Sequence, residues 1–313
     1  MALYLLPLFF ALMGCSLQKM ALRSTTPVME KSSEGMMEEG SWEFFQASSP
    51  ANIKFMELLW LQDQENLKLL SLLIKSYSGY AFAVPETLYF EDEIIGIGNS
   101  QRRTEAITFY TRSFDYGLQY LKEKDISKAD LLSHEESVLQ KRLDKLNDED
   151  ITAILYTAQS WGSLINLQKD NVVLVSQVPK VKMLFDFVCS RKPDIDNNVC
   201  DIFYAQYLSS RPKMLGGNPE EGEKLFLAAM EKHPHNLLIR MSYIQHVVLP
   251  GYDEEQYKKQ AAILKKELEK WENFKRDQLE NLSPYRNDKK LNLFNAIAKK
   301  RFLIVEKNKK QIF

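Results

Sequence analysis

Three cysteines carry the most specific chemistry in this 313-residue sequence. Cys15 follows an apolar run, residues 2–13, and comes directly after the small residue Gly14. The run is shorter than the about 20 apolar residues that span a bilayer, but it has the length of a signal-peptide core. A small residue before a cysteine suits a bacterial lipoprotein site, where the thiol receives lipid before cleavage. We therefore predict that Cys15 is lipidated; the alternative is a buried N-terminal helix with an ordinary cysteine.

The other two cysteines, Cys189 and Cys200, flank a predicted turn at Pro193. Disulfides form in oxidising compartments such as the periplasm. The ends of neighbouring antiparallel helices come within the ~7 Å between Cα atoms that a disulfide requires. A bridge that closes so short a loop would add about 3 kcal/mol of stability. The sequence leaves two alternatives open, a disulfide and two buried free thiols.

The remaining polar residues form no catalytic constellation. The histidines are scattered, without the helical spacing or the cysteine neighbours that a metal site would need; they are His134, His233, His235 and His246. Acidic runs at 135–136 and 148–150 are typical of solvated helix starts, and no phosphate-binding loop or nucleophile elbow is present. We expect no enzyme activity, no cofactor and no metal. A net charge of -1 with mixed charges also argues against a nucleic-acid partner.

Helix formers dominate the composition, with only 12 glycines, which predicts an all-α protein. We predict a signal peptide over residues 1–14, a lipidated cysteine and flexible tether over 15–49, and a helical domain over 50–313. A coil of the tether's length would span roughly 25–30 Å. Helices are predicted at 67–81, 102–122, 151–167, 199–208, after a cap at Asn218, and at 254–271.

A repeated pattern of small and aromatic residues predicts how these helices pair. Shifting the chain by 41 positions places Pro193 on Pro234 and Phe185 on Phe226. Helices cross closely at small positions, and an aromatic side chain fills the space between units, as in the second helix of a tetratricopeptide repeat. The matching small or aromatic positions are Val181, Val188, Gly222 and Ala229, and, in a third copy, Ala106, Tyr110 and Ser113. We predict a tetratricopeptide-like α-α superhelix; the alternative is an irregular helical bundle.

Segments of these repeats resemble the TRAP-transporter-associated tetratricopeptide lipoproteins, called TatT. The resemblance covers roughly residues 50–313. The similar segments are 66–70 (NLKLL), 77–82 (YSGYAF), 112–118 (RSFDYGL), Trp161-Gly162, Leu215-Gly216-Gly217, Leu291, 295–298 (NAIA) and Phe313.

The resemblance implies a non-enzymatic periplasmic protein that assists a tripartite ATP-independent periplasmic (TRAP) solute transporter. It implies a homotrimer, a partnership with the transporter's substrate-binding protein, and a cavity or pore for a small-molecule ligand. A scaffold for envelope protein assembly is the alternative function, and it would bind protein clients without such a cavity. Ser16, rather than Asp, follows the lipid site, which favours the inner leaflet of the outer membrane over the inner membrane.

Aromatic and basic residues on the expected concave face are our candidates for ligand or partner contact. They are Tyr77, Tyr80, Phe82, Arg112, Tyr116, Trp161, Tyr204 and Tyr207. Gly216 and Gly217 join them, because glycines between the helices of a hairpin serve either a turn with positive φ or the close approach of a ligand.

Overall fold

A computed structural model describes residues 5–276 and 288–313; the side chains of residues 5–16, 215 and 274–276 lie outside that description. The described residues form helices and turns without a strand, so the all-α prediction is confirmed. The helices are α1 (Leu5–Gly35), α2 (Trp42–Gln62), α3 (Leu67–Ala83), α4 (Pro85–Ile94), α5 (Gln101–Glu123), α6 (Lys128–Leu132), α7 (Glu136–Leu143), α8 (Ile151–Leu167), α9 (Val172–Val175), α10 (Val178–Arg191), α11 (Ile195–Ser209), α12 (Pro219–Lys232), α13 (Leu237–Tyr243), α14 (Glu254–Arg276) and α15 (Asn292–Ile312).

Polar residues begin the helices where the sequence predicts. Asn218 accepts a hydrogen bond from the Glu221 amide, and Pro219 occupies the first turn of α12. Asp253 likewise accepts from the Gln256 amide at 2.8 Å at the start of α14. These side chains satisfy amide groups that have no partner inside the helix.

The helices that the repeat pattern pairs also pack against each other in the structure. The pairs are α3 with α5, α8 with α10, α11 with α12, and α13 with α14. The small residues lie where the helices cross. Ser113 is fully buried and donates its hydroxyl to the carbonyl of Ile74 at 2.9 Å. A Cβ added at Gly222 would lie 2.8 Å from the carbonyl oxygen of Ala205. The tetratricopeptide identity of these hairpins stays a prediction.

The segment 15–49, predicted to be a flexible tether, differs in the structure, where it is helical over most of its length. Arg23 of α1 donates to the Asp63 carboxylate through Nε at 2.6 Å and Nη2 at 2.9 Å. The Trp42 indole at the start of α2 is buried and donates to the Ala83 carbonyl at 2.6 Å. The packed region therefore begins before position 50, because methionines and a part-buried ion pair hold a segment whose composition is polar.

The predicted lipidation site lies outside the side chains that the structure describes. The backbone of Cys15 lies within α1, but its thiol is not described, and neither are residues 1–4. Signal-peptide cleavage and lipidation at Cys15 therefore stay predictions.

A disulfide joins α10 to α11 in the structure, between Cys189 and Cys200, whose Cα atoms are 5.8 Å apart. Between them three successive residues adopt left-handed backbone, with φ of 42° at Asp196, 59° at Asn197 and 68° at Asn198. Asp and Asn tolerate this conformation better than other non-glycine residues. The turn positions Asp196 beside α3 and α8, where it contacts Lys75 and Tyr156.

The last helix, α15, returns to the beginning of the domain. It packs against α4 and α13 and also contacts α2. Its buried face carries Ile297, Arg301 and Val305. This crossing brings a C-terminal arginine into contact with residues of α3 and α4.

Candidate ligand cavity

A cavity of about 760 Å³ lies among α1, α2, α3, α8, α10, α11, α13 and α15. Pockets for small molecules typically measure about 300–1,000 Å³. Most of its wall is apolar; the apolar side chains include Val28, Met29, Met36, Phe45, Ile53, Tyr80, Phe82, Leu155, Val181, Phe185, Phe203 and Ile297. The arrangement suits a small molecule with a substantial apolar part.

One polar cluster in the wall, the Arg301 pole, consists of Glu86, His246 and Arg301. The Arg301 side chain is 3% exposed, and its Nη2 lies 3.5 Å from the Glu86 carboxylate. Nη2 also donates to the Phe82 carbonyl at 3.1 Å. Its other contacts are Nε with Thr87 Oγ1 at 3.0 Å and Nη1 with Gln245 Oε1 at 3.1 Å. The guanidinium is thus held by partners from three elements: α3, α4 and the turn that follows α13.

Burial governs the ionisation of this pole. Burial raises the pKa of Glu86, although Arg301 and the hydroxyl of Tyr110 oppose the change. Burial likewise lowers the pKa of Arg301. His246 has its pKa lowered to about 3 by burial and by the nearby Arg301 charge. The imidazole is therefore neutral at ordinary pH and carries one donor and one acceptor.

A second cluster, the Asp196 pole, consists of Lys75, Tyr156 and Asp196. Lys75 Nζ lies 3.2 Å from Asp196 Oδ1, and the Tyr156 hydroxyl donates to Oδ2 at 2.9 Å. Burial and the Asp196 charge raise the pKa of Tyr156 well above its usual value. The Asp196 carboxylate therefore has both a cation and a hydroxyl donor as partners within the pole.

The two poles are separated along α3. Lys75 belongs to the Asp196 pole, and Phe82, whose carbonyl binds Arg301, lies seven residues later on the same helix. Seven residues of α-helix span about 10 Å. Gly79 and Tyr80 of α3 line the cavity between them. The cavity therefore has polar groups at two places and an apolar wall between.

Cations outnumber carboxylates in the cavity wall by two. Four basic residues line it, Lys75, Lys169, Arg211 and Arg301, against two acidic ones, Glu86 and Asp196. Lys169 is 71% exposed and paired with Glu93 outside the wall, so the effective excess is one cation, which slightly favours a negatively charged ligand.

The predicted contact residues divide between this cavity and two other places. Tyr80, Phe82 and Tyr207 line it. Trp161 is instead buried and donates its indole N–H to Gln177 at 2.9 Å, and Tyr204 donates to Asp186 at 2.8 Å. These two rings do not line the cavity.

The other three candidates meet at a glutamate that sequence reasoning missed. Tyr77 and Tyr116 donate to Glu57 Oε1 at 3.0 and 2.6 Å, and Arg112 lies 3.4 Å from the Tyr77 hydroxyl. Burial alone would raise the pKa of Glu57, but hydrogen bonds from Lys54 and both tyrosines outweigh it and hold the pKa below its usual value. This cluster lies outside the cavity wall.

Gly216 and Gly217 shape the backbone of a tight turn in the structure. Gly216 has a φ of +79°, and a Cβ at Gly217 would lie 1.8 Å from the Arg211 carbonyl oxygen. Neither glycine lines the cavity. The pair closes the turn between α11 and α12.

Sequence signals existed for some of the residues that were missed. Arg301 interrupts the buried face of α15, and His246 continues the face of Leu238 and Ser242 at intervals of four. A polar residue at such a position must find a buried partner or face a cavity.

None of the helices in residues 5–276 and 288–313 combines the length and apolar character needed to cross a membrane. Within the same residues, no group of three or more His, Cys, Asp or Glu side chains is arranged to hold a metal ion.

Comparison with known proteins agrees with the resemblance drawn from the sequence segments. Residues 39–313 match the TAtT family, described as the TRAP transporter T-component. No curated protein matches the chain. The match starts close to α2 and spans the rest of the packed domain, including every described wall of the cavity from α2 onward. The chain therefore belongs to the TRAP transporter T-component family.

Proposed function

We propose that this protein is a lipid-anchored accessory of a TRAP transporter that holds a small ligand in its cavity and exchanges it with the substrate-binding protein. Family membership associates the chain with such a transporter. The observation that carries the ligand-binding role is the cavity of about 760 Å³ with its apolar wall and excess of basic residues. A generic protein scaffold has no need of an apolar cavity of this size.

An exposed apolar ridge supports the proposed protein contacts. Phe44, Leu58 and Leu61 of α2 each expose 45% or more of their surface and lie outside the cavity wall. Contiguous exposed apolar surface marks sites of protein or membrane interaction. We assign this α2 ridge to contacts within a homotrimer.

Lipidation at Cys15 would hold the molecule at the periplasmic face of a membrane, with the inner leaflet of the outer membrane favoured by Ser16. Because α1 packs onto the domain through Arg23 and Asp63, the anchor would lie close to the folded region rather than at the end of a long coil.

The test uses the mature chain from position 15 with Cys15→Ala, so that no detergent competes for the cavity. Native mass spectrometry of protein purified from its own cells should find a trimer that retains a small molecule. Gly79 lines the cavity and has no heavy atom within 4 Å of an added Cβ, so Gly79→Phe should fill the site and abolish retention.

Gly98→Phe is the matched control, because Gly98 is exposed, lies outside the cavity wall and also has open space around it. Retention by wild type and Gly98→Phe, but not by Gly79→Phe, supports the proposal. A monomer that carries no small molecule and instead co-purifies with protein clients would favour the envelope scaffold.

A further inference from the structure

One part of the cavity wall is a strap that is attached to the domain at both ends. The strap comprises residues 27–41, which run from the middle of α1 to the start of α2. Its first attachment is Thr26, which is 1% exposed and accepts a hydrogen bond from the Asn66 side-chain amide at 3.0 Å. Its second is Trp42, whose buried indole donates to the Ala83 carbonyl at 2.6 Å. The two ends of the strap are therefore fixed, whatever its middle does.

The inner face of the strap lines the cavity. Its lining residues come in pairs that recur every four positions, which places them on one side of a helix. The charged residues Glu30, Lys31 and Glu34 do not line the cavity. The lining residues are Val28, Met29, Ser32, Ser33, Met36 and Met37. Because eight residues of helix extend about 12 Å, an outward movement of this one segment would open a long side of the cavity.

The middle of the strap is held by weak contacts. Glu34 and Lys290 form an ion pair at 2.8 Å, but their side chains are 61% and 60% exposed. A second polar contact is the hydrogen bond from Asn292 Nδ2 to the Glu38 carbonyl at 3.1 Å. The apolar contacts come from methionines that are only partly buried. Exposed ion pairs contribute little free energy, and segments with few buried contacts open locally before the rest of a protein unfolds.

Pro27 separates the strap from the anchored part of α1. It lies inside the helix and has no backbone N–H, so it cannot donate the helical hydrogen bond to the Arg23 carbonyl. Arg23 itself is bound to Asp63 on the anchored side. Helices bend most readily where such a hydrogen bond is missing. The residues after Pro27 can therefore leave the domain while those before it stay attached.

The other walls of the cavity are less able to move. The helices α3 and α8, which contribute Tyr80 and Leu155 to the wall, are buried along most of their length. The helix α11 is more open, but the disulfide between Cys189 and Cys200 ties it to α10. Moving α3 or α8 would expose core side chains, which costs free energy in proportion to their apolar area. The strap is thus the wall segment that opens at the lowest cost.

We propose that the strap is the gate of the cavity: its middle lifts from the domain to let the ligand enter and leave, and closes again over the occupied site. This inference rests on the proposed function, which assigns a small ligand to the cavity. It adds the route of exchange and names what controls it, Pro27 and the ion pair between Glu34 and Lys290.

A single reactive thiol inside the cavity tests the gate. In the mature chain with Cys15→Ala the other two cysteines are joined in the disulfide, so Gly79→Cys supplies the one free thiol. Gly79 lines the cavity, and a Cβ added there meets nothing within 4 Å. The measurement is the rate at which fluorescein maleimide, a bulky reagent, modifies this thiol in the folded protein. Gly98→Cys, at an exposed glycine outside the cavity wall, gives the rate for an open site.

Two changes in the strap contacts should move the rate at Gly79→Cys in opposite directions. Lys290→Glu should raise it about three- to tenfold, because repulsion from Glu34 replaces the attraction. Pro27→Ala should lower it about tenfold, because alanine restores the helical hydrogen bond that proline cannot make.

Lys289→Glu is the matched control for Lys290→Glu. Lys289 is the neighbouring exposed lysine, so the charge change is the same, but no ion pair joins it to the strap among the described residues. Its rate at Gly79→Cys should equal that of the unaltered strap.

The outcomes separate the gate from the proposed function. Equal rates at Gly79→Cys in Lys290→Glu, Pro27→Ala and the unaltered strap would show that the reagent enters elsewhere and would overturn the gate. Retention of a small molecule in native mass spectrometry would then still support the proposed function, because it does not depend on the route. Rates that change equally at Gly98→Cys would indicate loosening of the whole fold and would also overturn the gate. Strap-dependent rates without a retained molecule would support the gate and count against the ligand-holding role.

Discussion

Single residues decide how closely two helices approach, and Gly117 of α5 is such a point. A Cβ added there would lie 2.3 Å from Thr157 Oγ1 and 2.9 Å from Thr157 Cβ. Rotating the threonine cannot move its own Cβ, so the helices α5 and α8 must separate. We expect Gly117→Ala to lower the free energy of unfolding by about 1–3 kcal/mol, measured by urea denaturation.

Gly79→Ala provides the matched control for Gly117→Ala. Gly79 is also a helical glycine, but an added Cβ meets nothing within 4 Å. Alanine favours the helix, so stability should rise by about 0.5–1 kcal/mol. Equal denaturation midpoints for the two variants would contradict the crossing geometry.

Glu57 shows why sequence finds some residues and misses others. Ser113 and Gly117 were predictable as inward positions because small residues recur at helical spacing. Glu57 has no such pattern, since its partners Tyr77 and Tyr116 lie 20 and 59 positions away and are brought to it only by packing. Tyrosines on a helix predict that their rings and hydroxyls make contacts, but they do not identify the contacted residue.

At the scale of elements, α1 is held to the domain in part by charge. Arg23 binds Asp63 at 2.6 Å, and the Asp63 carboxylate is fully buried. Asp63→Asn should free α1 and speed hydrogen exchange over residues 17–35, because Arg23 and Lys19 lose their shared partner. Glu65→Gln, at a carboxylate whose side chain is 75% exposed, should change exchange far less. Unchanged exchange in Asp63→Asn would show that apolar contacts alone hold α1.

The same ion pair sets a pH dependence. The hydrogen bond from Arg23 holds the pKa of Asp63 below its usual value, although burial opposes the change. A carboxyl with a depressed folded pKa stabilises the folded state above its unfolded pKa of about 3.9. That contribution is lost as the pH falls through the folded pKa. Exchange over α1 should therefore rise below about pH 4 in wild type, but not further in Asp63→Asn.

Helices with a clear cap and apolar period, such as α8 and α12, were predictable within a few residues. The packing of α1 was not, because a segment rich in Ser, Met and Glu reads as coil unless its distant partner Asp63 is known. The left-handed turn at residues 196–198 was also missed. Its Asp-Asn-Asn sequence was the available signal, since these residue types tolerate positive φ.

At the scale of the whole molecule, the candidate site is a product of long-range packing. Arg301 and Glu86 are 215 positions apart, and Lys75 and Asp196 are 121 apart. No local spacing encodes such pairs. The sequence predicted a cavity only through its resemblance to a family, and it predicted three of its wall residues, Tyr80, Phe82 and Tyr207.

The proposed trimer depends on the α2 ridge, and Leu58→Glu tests it. Leu58 is 49% exposed in the single chain and lies one turn before the exposed Leu61 on α2. If copies of the ridge pack together, the added carboxylate would be buried at the contact without a partner, which costs several kcal/mol. Leu58→Glu should therefore be monomeric by native mass spectrometry at concentrations where wild type is trimeric.

Leu132→Glu, at a 42% exposed leucine on α6, should remain trimeric. A trimeric Leu58→Glu variant would exclude the ridge as the contact, and a monomeric wild type would exclude the trimer itself.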